Sequence, residues 1–157
     1  MADRDRGLTQ RGRNDAVKIG TYMTHHALQP TYAIVSTARR TRETWEQVLS
    51  TFPQSCAVDY RDGLYNARSE IILEVIREAD RSARTLLVIG HNPGMHDVAR
   101  LLIASGDVEA RERLNEALPT AGLAVIDFAG NNWDLVHDRG GRLERFISPR
   151  LLKKKTD

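Results

Sequence analysis

Two short stretches carry side chains suited to holding an anion. His91 stands between Gly90 and Asn92-Pro93, directly after the apolar run Thr85–Gly90. A helix starting at such a junction leaves backbone N–H groups unpaired, and its dipole end is positive. That combination suits a phosphate, and Gly90 lets backbone come close to a ligand. The same pattern also fits a plain strand-to-helix turn with a solvated imidazole. Arg39, Arg40 and Arg42 follow a second apolar run, Tyr32–Ser36. Arg40 or Arg39 can present a planar guanidinium to two phosphate oxygens. A basic run of this kind is also an ordinary solvated helix face. A cation at a helix start is disfavoured by the dipole, and a bound anion would offset that cost.

The other histidines point elsewhere. His25 and His26 fall at a helix end, where a cation is favourable. His96 lies inside a helix and His137 at an expected strand end. Lys153-Lys154-Lys155 reads as a solvated tail. No P-loop, Gly-x-Gly-x-x-Gly or His-Glu-x-x-His motif occurs, so no nucleotide or metal cofactor is expected. The single cysteine, Cys56, excludes an internal disulfide and a cysteine-based zinc site.

The elements that must position these residues alternate. Thr9 is a predicted N-cap for a helix that Pro30 closes. Tyr32–Ser36 reads as a strand buried on both faces, and the residues from Thr37 lead into a helix ending near Phe52-Pro53. Cys56–Tyr60 is the next strand, Asp62-Gly63 a turn, and Ser69 the expected cap of a helix to about Asp80. Thr85–Gly90 is the clearest buried strand. A helix from Pro93 is stopped by Ser105-Gly106, and a polar helix from Val108 to Leu118 follows. Leu123–Phe128 and Trp133–His137 are expected to form an antiparallel pair through Asn131-Asn132. Strands alternating with helices predict an α/β fold with a mainly parallel sheet, and in such sheets ligands bind beyond the carboxyl ends of the strands.

The whole chain has 157 residues, with 23 Lys+Arg against 21 Asp+Glu, which is one domain of nearly balanced charge. Acidic residues are interspersed with the arginines and no aromatic-basic alternation appears, so no nucleic-acid partner is expected. No apolar run approaches a membrane span, and no membrane partner is expected; the chain reads as soluble and cytoplasmic. The residues after Pro149 read as a flexible tail over 150–157.

Taken in order, these stretches resemble the histidine phosphatase superfamily, the phosphoglycerate-mutase-like proteins, and within it the SixA-type phosphohistidine phosphatases. The matching segments are Asp5-Arg6-x-Leu8-Thr9-x-x-Gly12, Ser36-Thr37-Ala38-Arg39-Arg40-Thr41-x-x-Thr44, Leu64-Tyr65-Asn66-Ala67, Val88-Ile89-Gly90-His91-Asn92-Pro93 and Pro119-Thr120-Ala121-Gly122-Leu123. The resemblance implies a three-layer, mainly parallel α/β fold with helices on both faces and a late antiparallel edge. It implies that Arg40 binds the phosphoryl oxygens and that His91 is the second active-site histidine, with the Asn92 backbone N–H as a further donor. The family's nucleophile is another histidine, in an Arg-His-Gly or Arg-His-Ala motif after the first strand. This sequence contains no such motif. By that comparison the 157 residues are an N-terminally incomplete single domain, and Met1 falls in the loop after the motif.

Many relatives place a catalytic carboxylate where this sequence has Asn66; Glu70 is near but off the register. SixA-type members generally lack that acid too. Imidazole is a good leaving group, so a P–N bond needs less acid help than a P–O ester. The implied activity is a phosphohistidine, or small phosphomonoester, phosphatase acting on a phosphorylated protein or small phosphorylated substrate without a cofactor. The alternative is a catalytically inactive relative that binds phosphate or a phosphoprotein.

Overall fold

The computed structural model describes residues 1–156; the side chains of Lys154 and Lys155, in the expected solvated tail, lie outside the described residues. The chain divides into two compact units. The first holds residues 1–65 and 83–90, the second residues 66–82 and 91–157.

The first unit opens with a 3-10 turn, Asp3–Asp5, followed by α1 (Gln10–His25), β1 (Tyr32–Ser36), α2 (Arg39–Leu49), β2 (Ala57–Arg61), a 3-10 turn at Asp62–Leu64 and β3 (Leu86–Ile89). Thr9 caps α1 as expected, its hydroxyl accepting from the Gly12 N–H at 3.0 Å. Ala16, Ile19, Gly20 and Met23 share the buried face of α1 at helical spacing, and α1 packs on α2. The sheet runs β2-β1-β3 and is parallel throughout, with Val35 opposite both Tyr60 and Ile89. The carboxyl ends of β1 and β3 therefore coincide at one edge. Ala33, Ile34 and Val35 are buried, which their continuous apolar run foretold.

An ion network closes the entry to α1. Glu43 on α2 accepts from the Leu8 N–H at 2.8 Å and from Arg13 Nη2 at 2.7 Å, with Arg39 Nε at 3.5 Å. The Leu8 hydrogen bond, then the two arginines, hold the Glu43 carboxyl below the usual glutamate range. A lowered carboxylate pKa adds stability that is complete above the unfolded value and is lost as pH falls through the folded one. Glu43→Gln should therefore cost about 1–2 kcal/mol at neutral pH. Urea melts of both proteins should converge as pH drops below the lowered Glu43 value. A difference that stayed constant down to strong acid would refute the charge-based account.

The second unit holds α3 (Ser69–Arg77), α4 (Gly94–Leu102), β4 (Ile103–Gly106), α5 (Val108–Glu116), β5 (Leu123–Phe128), a 3-10 turn at Trp133–Leu135, β6 (Gly141–Ile147) and α6 (Pro149–Thr156). Its sheet runs β4-β6-β5, with β4 parallel and β5 antiparallel to β6. β5 is thus a late antiparallel edge strand. Ala99, Ala110, Leu114, Leu143 and Phe146 form its core.

Several expectations need correction here. The antiparallel partner of β5 is β6, not Trp133–His137, which begins as a 3-10 turn capped by the Asn132 side chain. Ser105-Gly106 does not merely stop α4; it belongs to β4. Ser69 is the first residue of α3 rather than its cap, and the cap position is Arg68.

Candidate active site

Arg40 is the second residue of α2, four residues beyond Ser36 at the end of β1. The turn between them is built from hydroxyls. Ser36 is fully buried and its Oγ accepts from the Ala38 N–H at 3.4 Å. Thr41 Oγ1 lies 2.8 Å from both the Ser36 and the Ala38 carbonyl oxygens. Thr44 Oγ1 donates to the Arg40 carbonyl at 2.8 Å. This explains the Ser-x-x-x-x-Thr-x-x-Thr spacing: the short polar side chains lock the first turn of α2, whose cap residue Ala38 offers no side-chain acceptor.

The three arginines part company. Arg39 pairs with Glu43 and Arg42 Nε donates to the Thr37 carbonyl at 3.0 Å. Arg40 is mostly covered, with 22% of its side chain exposed, and its Nη1 meets Asp3: the backbone carbonyl at 3.1 Å and Oδ2 at 3.3 Å. Asp3 also accepts from the Tyr65 hydroxyl and lies 3.3 Å from Arg6 Nη2. Beside this, Arg4 Nη2 bonds Asp62 Oδ1 at 2.5 Å and the Thr37 hydroxyl, and its guanidinium lies 4.9 Å from the Tyr65 ring centroid. The Tyr65 hydrogen bond and then Arg40 hold the Asp3 carboxyl below its ordinary range, and the same bond raises the Tyr65 phenol. Asp3 and Tyr65 are the members that sequence reasoning missed. The cost of a cation at the α2 start is a signal for them, but in the sequence it points to a bound anion and not to a neighbouring carboxylate.

His91 lies in the second unit, two residues past the end of β3 in the chain, and is buried. Its carbonyl accepts from the Met95 N–H at 3.0 Å, which starts α4. The Asn92 side chain is spent on the fold. Its Oδ1 accepts from the His96 N–H at 3.2 Å and its Nδ2 donates to the Leu118 carbonyl at 2.6 Å, immediately before the Pro119–Gly122 turn. Asn92 thereby ties the loop carrying His91 to the segment that leads into β5. Pro93 occupies the cap position of α4.

The remaining candidates are placed structurally. His96 binds the Leu114 carbonyl through its ring, His137 the Asp138 carbonyl at 2.7 Å, and the His26 ring packs on Tyr22 at 4.1 Å between centroids; His25 closes α1. Asn66 adopts a left-handed backbone, φ 50°, which suits asparagine better than most residues. Glu70 is exposed in the first turn of α3, 3.8 Å from Arg68 Nε. Among the described residues no group of three or more His, Cys, Asp or Glu side chains is placed to hold a metal ion. No helix among them is long and apolar enough to cross a membrane.

No protein-family profile matches the chain. An uncharacterized protein of Mycobacterium tuberculosis (strain ATCC 25618 / H37Rv) is 32% identical over 152 residues, covering 96% of this chain and 93% of that protein. An uncharacterized chloroplastic protein of Arabidopsis thaliana is 24% identical, covering 95% of this chain and 70% of that one. Among solved structures, a protein of Agrobacterium tumefaciens assigned as the phosphohistidine phosphatase SixA is 31% identical, with a TM-score of 0.76 over 95% of this chain and 87% of that one. A second protein so assigned, from Nakamurella multipartitia, superposes with a TM-score of 0.83 at 27% identity, over 95% and 88% of the two chains. The α/β architecture and these similarities agree, and the chain belongs to the SixA-like group of the histidine phosphatase superfamily.

Proposed function

We propose that these residues form the phosphate-holding part of a phosphohistidine phosphatase. Arg40 and His91 take the phosphoryl oxygens, and the Asn92 backbone N–H adds a donor. The observation that supports this most is the placement of Arg40, a guanidinium fixed at a helix start just past the carboxyl end of β1. The chain reaches His91 just past the end of β3, the strand paired with β1. A similar fold, the protein histidine phosphatase SixA at 17% identity, has been solved with tungstate, a tetrahedral oxyanion like phosphate. Catalysis in such a site is positioning plus charge stabilisation.

The balanced chemistry is a double displacement. A neutral imidazole nitrogen of the family's nucleophilic histidine forms a P–N bond while the substrate's P–N bond breaks, and the released imidazole leaves with a proton. Water then attacks the phosphoenzyme and frees inorganic phosphate. Asn66 in place of a carboxylic acid favours this leaving group over an alkoxide. None of the five histidines follows an arginine as the family's nucleophile does.

The expected result for this chain is binding of inorganic phosphate, weakened about ten-fold or more by Arg40→Ala, without turnover of phosphohistidine. Calorimetry and a phosphate-release assay read the two. Unchanged binding in Arg40→Ala would overturn the assignment, and turnover would mean that one of the five histidines attacks. A second reading is a relative that holds a phosphorylated protein without hydrolysing it. Gene sequence upstream of Met1 separates the two: an in-frame apolar strand ending in Arg-His-Gly or Arg-His-Ala belongs to the phosphatase, an immediate in-frame stop to the binder.

A further inference from the structure

Arg40 stands where the α2 dipole disfavours a cation, yet its side chain is largely covered. An arginine in that place has two requirements: a negative neighbour, and something to choose one orientation among its many rotamers. Asp3 supplies both. Its backbone carbonyl and its carboxylate reach the same terminal nitrogen, Nη1. Asp3 is itself held by the Tyr65 hydroxyl and by Arg6, and Tyr65 lies under the Arg4 guanidinium.

From this geometry we infer that Asp3 is a positioning residue for the phosphate site, acting through Arg40 and backed by Tyr65. The inference rests on the reading of Arg40 as a phosphate ligand. Two oxygens of one residue on one nitrogen make a buttress. An anion that blocked the site would instead span the guanidinium fork with one oxygen on each of two nitrogens, as carboxylate and phosphate do in their bidentate pairs.

The sign of one substitution decides the matter. Asp3→Asn keeps the size and an acceptor oxygen but removes a negative charge near an anion site. Coulomb's law alone predicts tighter phosphate binding. Positioning predicts the reverse. Titration of the 157-residue protein with inorganic phosphate at fixed pH and ionic strength should show Asp3→Asn weakening binding about five-fold or more. Tyr65→Phe should weaken it less, in the same direction, and serves if Asp3→Asn folds poorly. In an Arg40→Lys background, where the planar fork is gone, Asp3→Asn should have no further effect. Tighter or unchanged binding in Asp3→Asn overturns the inference, as does an equal loss in the Arg40→Lys background, which marks a merely structural role. If Arg40→Ala leaves phosphate affinity intact, the phosphate-ligand reading itself has failed and the inference falls with it; a loss in Arg40→Ala without one in Asp3→Asn overturns the inference alone.

Discussion

Trp45→Ala should lower the stability of the protein by about 3–5 kcal/mol, seen as a fall in melting temperature of about 10 °C or more. Trp45 is 1% exposed and is the largest fully buried side chain. It packs edge-on against Phe52, ring centroids 6.2 Å apart. Most of α2 is polar, and only Thr41, Trp45 and Val48 are buried on it. Truncation would leave that helix anchored by a threonine and a valine, with a cavity in place of an indole. Small domains are stable by about 5–15 kcal/mol in all, so this one change removes a large fraction. Because α2 carries Arg40, phosphate affinity should fall with it. Trp45→Phe, which refills much of the volume, should recover most of both. Val108→Ala, on a side chain 67% exposed, should change neither. A Trp45→Ala protein melting within 2–3 °C of the parent would show that α2 is held by something other than this packing.

How far the sequence disclosed the fold depended on whether the signal was local. β1 and β5 span the same residues as their apolar runs, and Thr9 caps α1, because apolar runs and capping are written within a few adjacent residues; β1 is buried and β5 only half-buried. β6 was hidden by its two arginines and glutamate. Its burial alternates only over Gly141–Glu144, and Phe146 and Ile147 are then both buried, so the period of two spans four residues and breaks before the strand ends. β4 is four residues with a glycine at φ 133°, too short for any periodic signal. Trp133–His137 is expected as a strand because Asn131-Asn132 reads as a hairpin turn, yet the Asn132 side chain instead caps Trp133–Leu135 as a 3-10 turn. As candidates, Arg40 and His91 stood out in the sequence because each lies within four residues of the end of an apolar strand. Asp3 and Tyr65 did not, since Asp3 meets Arg40 across 37 residues of chain and Tyr65 across 62. Only the sheet and the two 3-10 turns bring them together.

The loop at His91 makes its own sharp prediction through Gly94. Helix propensity alone says that Gly94→Ala should stabilise α4 by up to about 1 kcal/mol. The packing says otherwise. A Cβ at Gly94 would lie 1.9 Å from the Ala67 carbonyl oxygen and 3.1 Å from its carbonyl carbon. These are backbone atoms beside the left-handed turn at Asn66, so no rotamer change relieves the clash. Either α4 or the residue 66–68 segment must shift, and overpacking of this kind costs about 1–3 kcal/mol or more. The net change should be destabilising by about 2 kcal/mol or more. A shift of α4 also moves the hydrogen bonds that set the loop, from Met95 N–H to His91 and from His96 N–H to Asn92. Phosphate binding should therefore weaken along with stability. Gly63→Ala is the matched control: a Cβ there meets nothing within 4 Å, so the same substitution should be neutral or slightly stabilising and leave phosphate binding alone. If Gly94→Ala melted at or above the parent temperature, the close approach of α4 to Ala67 would be wrong, and with it the reason a glycine follows the His-Asn-Pro turn.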